Sequence, residues 1–458
     1  MIVMKFGGEA LQNPRSIKKV ISVIKASLDE DPLIVLSAFG KSTRLLERLF
    51  DLCSKGEFRD AHDIIDTELL PLAMSLFEGE LNPEYEPNCG KDVSNRIEDL
   101  KNYISSRERK WDSSDRDHIV AQGELITSRI IYYSLSSEGI KSEWLDARDM
   151  MITDEKHRFA KPDFKISAEL VKQKVDSCRK NNKLPITQGF IASAPSGSTT
   201  TLGYEGSDLS ATFIGACIDA ERVELYKTVP GVMTADPYLV QDSKLVRRIS
   251  YEYVDKLTFL GSKILHKNTI KPLIARDIPL RILNLYEPED NGTTIEDSHY
   301  DDLENEFFVV GHPDGILVSI QLSDGNDPLE SARIDSILSE RDIANIPLEK
   351  NLDQIQYFLP DKSSLQEAKS QLRDIVNISW IEDVSMIGMI HDSLAENELI
   401  TMISNTFDEH GVKVLATSAT ADMTILVIPN ERFKQIYNNL HRILSEYSAT
   451  DVQLMERK

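Results

Sequence analysis

Over the first two thirds of the chain, apolar residues fall in short blocks that alternate between strand-like runs and helical spacing. Ile2 to Phe6 is a short apolar run ending at Gly7-Gly8. From Pro14 onward, Ile17, Val20, Ile21 and Ile24 recur at helical spacing, and Pro32 precedes the wholly apolar Leu33 to Leu36, the pattern of a strand buried on both faces. The same alternation predicts a helix near Gly123 to Leu135, a strand at Pro185 to Phe190, a helix from Ser207 to Cys217, a strand at Val223 to Tyr226 and a helix from Tyr251 to Phe259. Strand, helix and strand at this spacing imply βαβ crossovers, hence an α/β fold with a mostly parallel sheet covered by helices. Residues 51–117 interrupt the pattern. They are polar, charged and helix-leaning, and predict a helical insertion with a solvated loop around Asn82 to Gly90.

A composition shift closes this region. Residues 287–306 hold acids and turn formers with few apolar side chains, which places the end of a first domain at 295 and a linker at 296–306. Beyond it the pattern predicts strands at Ile316 to Leu322 and Gln356 to Leu359 around a helix from Pro328 to Leu338. Strands then follow at Ile375 to Trp380, Ser385 to His391, Val412 to Ala416 and Thr424 to Ile428, with helices from Glu396 to Glu409 and Glu431 to Glu446. This is the split-βαβ order of two ferredoxin-like βαββαβ units in tandem, over 307–374 and 375–458.

Composition narrows the class. The 458 residues are 41% hydrophobic, enough for a large core, and carry a formal charge of −23, which excludes a nucleic-acid surface as the main business of the chain. No apolar run approaches the length of a membrane span, and MIVMKFGG lacks the pattern of a secretory signal. Cys53, Cys89, Cys178 and Cys217 form no CxxC pair and read as reduced structural thiols. A cytoplasmic protein with no membrane and no nucleic-acid partner, and with no metal cluster of its own, is expected.

Several glycine-bearing loops follow predicted strands. Lys5-Phe6-Gly7-Gly8 joins a strand to a helix, where glycines let the backbone approach an anion and the lysine adds a point charge; a plain Gly-Gly turn explains the dipeptide equally well. Thr199-Thr200-Thr201-Leu202-Gly203-Tyr204-Glu205-Gly206-Ser207-Asp208 precedes an apolar helix, with Ser207 or Asp208 placed to cap it, and Asp208 could instead orient Lys5 or hold a metal-bound phosphate. The loop Ser37 to Thr43 contributes Lys41 and Thr43, and Glu124 lies in a first helical turn, where it either caps the helix or meets an ammonium group. Tyr226 to Val232 ends in a Pro-Gly turn, followed by Asp236-Pro237, and Lys263 could reach a nucleotide's phosphates; a β-turn and a solvated lysine are the plain alternatives.

Together KFGG, LSAFGKST, AQGEL, ITQGF, TTLGYEGSD, VPGVMTADP and GSKILH, in this order and spacing, resemble the aspartate kinases (aspartokinases) of the amino-acid-kinase superfamily. The C-terminal pair, with Glu382 to Gly388 opening a strand, resembles that family's tandem ACT regulatory units. The resemblance implies phosphoryl transfer from ATP with Mg2+ to the β-carboxylate of L-aspartate, giving 4-phospho-L-aspartate at the head of the aspartate-family amino-acid pathway. It implies Lys5 and Asp208 as catalytic residues. Gly7, Gly8, Tyr226, Lys227, Thr228, Pro230, Gly231, Asp236 and Lys263 would lie around the nucleotide, and Thr43, Glu124, Tyr204 and Ser207 around the amino acid. An amino-acid effector at the ACT units, and a homodimer formed through them, are further implications.

Several positions depart from the family pattern, which has Ser at Ala10, Asn at Arg44, Arg at Tyr204, Asp at Thr228, Arg at Tyr238 and Pro at Lys267. Exchanging a guanidinium for a phenol removes charge-assisted binding of about 1.5–3 kcal/mol. Two alternatives follow: a relative acting on another carboxylate, or a catalytically weakened ACT-regulated sensor.

Overall fold

A computed structural model describes residues 1–297, save 108, 204, 263, 266 and 267, and 307–455, save 322–331, 333, 339–344, 351–353, 363–364, 373–376, 392–402, 404 and 408–409. Internal contacts divide the chain into two compact units. One comprises Met1–Val232, Arg247–Tyr251 and Leu265–Asp297; the other comprises Met233–Val246, Glu252–Ile264 and the described residues after 297.

The first unit is built on an eight-stranded sheet. Its strands are β1 (Ile2–Phe6), β2 (Pro32–Leu36), β3 (Ser142–Trp144), β4 (Leu184–Gln188), β7 (Arg222–Lys227), β8 (Arg248–Ser250), β9 (Leu280–Asn284) and β10 (Thr293–Glu296), in the order β3-β4-β2-β1-β7-β9-β10-β8. All pairings are parallel except β9 with β10. β5 (Ile191–Ser193) and β6 (Thr199–Thr201) form a separate hairpin. The central strands are buried along their whole length, which is why they read as unbroken apolar blocks. From β1 the chain runs outward on one side through β2, β4 and β3 and on the other through β7 and β9. The crevice at the carboxyl end of β1 is therefore a topological switch point, where open α/β sheets take ligands.

Helices α1 (Pro14–Ala26), α2 (Ser42–Lys55), α3 (Phe58–Ile64), α4 (Leu70–Met74), α5 (Glu86–Ser105), α6 (Ser113–Val120), α7 (Gln122–Ser137), α8 (Phe164–Lys180), α9 (Gly206–Cys217), α10 (Tyr251–Phe259) and α11 (Lys271–Ile274) cover it. α1 starts where Asn13 and Ser16 close a reciprocal capping box around Pro14, and buries Ile17, Val20, Ile21 and Ile24. The insertion is helical, but the expected loop at Asn82 to Gly90 ends early. α5 begins at Glu86 because Cys89, Val93, Ile97, Leu100 and Ile104 form a buried stripe at helical spacing while the intervening charges face outward.

The second unit carries a six-stranded antiparallel sheet of β11 (Phe308–Gln321), β12 (Ile346–Lys350), β13 (Gln354–Leu359), β14 (Ile378–Ile390), β15 (Ala416–Ala419) and β16 (Met423–Pro429), ordered β12-β13-β11-β14-β16-β15. Helices α12 (Leu365–Gln371) and α13 (Phe433–Met455) belong to it. The strands expected at Ile375 to Trp380 and Ser385 to His391 are one strand, β14. The polar Glu382-Asp383 breaks the apolar pattern but not the ladder, because Asp383 takes φ 56° opposite the irregularity between His312 and Leu317 of β11. The strand expected at Val412 to Ala416 lies later, at Ala416–Ala419. Of the expected helix at Pro328 to Leu338, residues 332 and 334–338 are described and helical, whereas the one at Glu396 to Glu409 falls mostly outside the described residues.

Two cores fill this unit, and they do not divide at 374/375. Ile316, Val318 and Ile320 pack with Ile334, Ile355 and Tyr357, whereas Phe307 and Val309, earlier in the same segment, pack with Ile387, Leu426 and Tyr437. Ala235 and Val240 join the latter core, and Thr234 accepts the Val309 N–H, so Met233–Val246 leaves the span 1–295.

Candidate active site

Lys5 lies inside β1, in register with Val35 and Leu225, and is 7% exposed. Its ammonium pairs with Oδ1 of Asp208, in the first turn of α9, and Lys227 at the end of β7 reaches Oδ2 of the same carboxylate at 3.2 Å. Burial alone would raise the Asp208 pKa, but the two lysines overcome it and hold the carboxyl at about 2. The converse applies to Lys227: burial disfavours its charge, yet Asp208, with Glu205 and Glu9 nearby, carries its pKa above the ordinary value. Two cations fixed on one anion at a strand edge and a helix start give a rigid, positively biased rim. Ser207 and Asp208 do not cap α9. The cap position is Glu205, at φ 53°, and the helix has already begun at Gly206.

The loops leaving the strands are laced over this pair. Gly40 N–H donates to the Gly8 carbonyl, and a Cβ on Gly8 would stand 2.8 Å from the Ala38 oxygen, so glycine is required there. Gly7 is less confined, with Lys5 Nζ 3.4 Å from a notional Cβ. On the β4 side, a Cβ on Gly189 would fall 2.7 Å from Ser207 Cβ, which brings the ITQGF turn against the start of α9.

Glu124, in the first turn of α7, occupies a different environment. It is 3% exposed, Oε1 accepts the Ala38 N–H at 3.1 Å, and Oε2 has no hydrogen-bond partner. Burial pushes its carboxyl up to about 8, against the lowering by its own backbone and the Ala38 amide and, last, by Lys5. A buried carboxyl with one oxygen unpaired is a receptor for a cation or a donor. Ser42 Oγ, at the start of α2, and Thr187 Oγ1 are likewise buried without partners; Thr187 shares a register row with Val35 and Lys5. Thr43, beside Ser42, is half-buried.

The remaining candidates separate. Tyr226 turns inward, its ring stacked on Phe6 at 4.8 Å and its hydroxyl donating to Glu224, and burial drives its pKa upward; its backbone oxygen borders Gly7. Thr228 donates to Glu9 at 2.6 Å, and Pro230 and Gly231 form the following turn. Asp236 belongs to the other unit, where its N–H meets Tyr437 Oη and its carboxylate accepts from Tyr238 N. Tyr204 and Lys263 lie outside the described residues.

One network went unread in the sequence. Asp117 of α6 is fully buried and accepts from Thr201 N, Thr201 Oγ1 and Arg158 N, while Arg116 binds Asp117, Thr201 and Glu47. It fastens the helical insertion to β6, the strand that delivers the Gly203–Asp208 turn. The signal was an Arg-Asp pair directly ahead of the apolar run Ile119-Val120-Ala121.

Residues 1–284 match the model of the amino acid kinase family. Lysine-sensitive aspartokinase 3 of Escherichia coli is 28% identical over 295 residues, covering 64% of each chain. A bifunctional aspartokinase/homoserine dehydrogenase 2 of Arabidopsis thaliana is 30% identical over 302 residues, and that match spans 32% of the relative. The chain thus covers about a third of the length of the bifunctional relatives it matches. Among solved structures, E. coli aspartokinase III in complex with aspartate and ADP superposes with a TM-score of 0.80 at 22% identity, covering 96% of this chain and 99% of that one. Aspartate kinase of Clostridium acetobutylicum gives 0.73 at 21% identity, covering 96% and 99%. No described helix is long and apolar enough to cross a membrane.

Proposed function

The chain belongs to the amino acid kinase family, and on that footing we propose that it is an aspartate kinase, transferring the γ-phosphoryl group of ATP to the β-carboxylate of L-aspartate. The carrying observation is the opposition of two acids at one sheet edge: Asp208, locked between Lys5 and Lys227, and Glu124, buried with an oxygen unpaired. The aspartokinase relatives support the reading of the substrate.

The attacking carboxylate is ionised at neutral pH, so no general base is required. Its oxygen forms the new bond to γ-phosphorus as the bond to the bridging oxygen breaks, and ADP leaves with that electron pair. Catalysis then consists of alignment and charge neutralisation. Lys5 offsets charge on the transferring group, Asp208 holds Lys5 and Lys227 in place, and Gly7 and Gly8 leave room for phosphate oxygens. Glu124 Oε2 takes the substrate ammonium, with Thr43, Ser207 and position 204 around the rest of the amino acid. Tyr226, Thr228, Pro230 and Gly231 remain the nucleotide side of the proposal.

Among the described residues no three acidic, His or Cys side chains gather into a metal cage, and both Asp208 oxygens are taken by lysines. These residues do not fit a dedicated magnesium site. An ion carried by the triphosphate would keep phosphate and water ligands, as this cation commonly does. The second unit, by the same reading, binds an amino-acid effector and joins two copies of the chain.

The test is ADP release with aspartate present. Turnover that disappears in Lys5→Ala supports the assignment, and absence of turnover across acidic amino acids rejects it.

A further inference from the structure

Away from the sheet edge, α5 and α7 border an open cavity of about 510 Å³ lined by Lys91, Asp92 and Asn95 from one helix and Arg129, Tyr132 and Tyr133 from the other. Its size falls in the range of small-molecule sites, about 300–1,000 Å³. The charge around it is unbalanced. Arg129 lies 3.7 Å from the centroid of the Trp144 ring, and Arg96 approaches the same indole at 5.5 Å. Arg148, nearby, is paired bidentately with Asp146. Of the residues that line the cavity, Lys91 and Arg129 are the cations and Asp92, 3.5 Å from Arg129, is the acid. The strain of this arrangement shows in Arg96, whose pKa is lowered by burial and then by Arg129 beside it, and whose buried Nε has no hydrogen-bond partner. Among the described residues, Lys91 Nζ, the Asn95 amide and the hydroxyls of Tyr132 and Tyr133 also lack hydrogen-bond and ion-pair partners.

Donors and positive charges facing one cavity, with one acid among them, are the composition of an anion receptor. We propose that the α5–α7 cavity binds a metabolite-sized organic anion through its phosphate or carboxylate group, with Lys91 and Arg129 as the charge partners and Tyr132 and Tyr133 as hydroxyl donors. A lone inorganic ion would occupy a small part of the volume, and the tyrosine rings supply apolar surface for the remainder of the ligand.

Calorimetric titration of the full chain with glucose 6-phosphate and with citrate, each repeated on Lys5→Ala, tests this and separates the two anion classes. One binding event per chain is expected for at least one probe, undiminished by Lys5→Ala. It should weaken at least tenfold in Lys91→Ala and Arg129→Gln and strengthen several-fold in Asp92→Asn, a gain that loss of folding cannot produce. No binding at millimolar probe, binding abolished by Lys5→Ala, or binding unchanged in all three cavity variants overturns the proposal.

Discussion

Asp208 and Glu124 are both carboxylic acids in the first turn of a helix, both almost wholly buried, and both at the carboxyl edge of the same sheet. Their protonation nevertheless diverges, to about 2 for one and about 8 for the other. Helix dipole and burial are common to the pair, so neither explains the divergence. The distinguishing feature is the count of fixed cations: two ammonium groups on Asp208, and on Glu124 only its own backbone and the Ala38 amide, with Lys5 as the least of the influences. One acid is finished by the protein. The other is left for a ligand to finish.

The largest expected effect comes from removing a cation at the finished end: Lys5→Ala should lower kcat by about 10²–10³-fold, as loss of one preorganised electrostatic partner does, with steady-state kinetics as the measure. At the unfinished end, Glu124→Gln should raise KM for the amino acid by about 10–100-fold with little change in kcat, the cost of one charge-assisted bond. Equal falls in kcat and kcat/KM would place Glu124 with Asp208 and dissolve the contrast.

The pH dependences have opposite signs. Glu124 keeps its proton in the folded chain up to about 8, whereas a free carboxyl of its type releases it near 4.5; between these values the unfolded chain binds fewer protons and stability falls as pH rises. Glu124→Gln should therefore gain Tm relative to the parent chain between pH 5 and 8.5. Asp208, at about 2 against 3.8, stabilises above the ordinary value and loses that contribution as pH falls through 3.8 toward 2. The same difference predicts proton release, close to one per site, when an ammonium-bearing substrate binds near pH 7, read by calorimetry in buffers of differing ionisation enthalpy.

Packing sharpens the contrast further. Gly8→Ala sets a methyl group against backbone oxygens of Ala38 and Gly40 and should cost about 1–3 kcal/mol in denaturant unfolding, while Gly7→Ala, whose methyl group would stand 3.4 Å from Lys5 Nζ, an ordinary contact, should cost less than half of that. The smallest effect is expected for Thr228→Val, which removes a contact to the exposed Glu9 and should alter KM for nucleotide by no more than about threefold.

Periodicity and local chemistry determined much of this molecule before folding is considered. Blocks such as Leu33–Leu36 must be buried on both faces, Ile17, Val20, Ile21 and Ile24 must share a helical face, and a glycine pair after a strand must sit in a tight turn. Charge at the site is not local. Nothing local announces that Lys227 will share Asp208 with Lys5, because α9 and β7 come beside β1 only after crossovers spanning some two hundred residues. The same holds for β14: its polar interruption at Glu382-Asp383 predicts a break, and only the matching irregularity in β11 keeps the ladder continuous. A strand's own side chains record whether it is buried, whereas the identity of its neighbours, and so the protonation of an acid between them, is set by the assembled sheet.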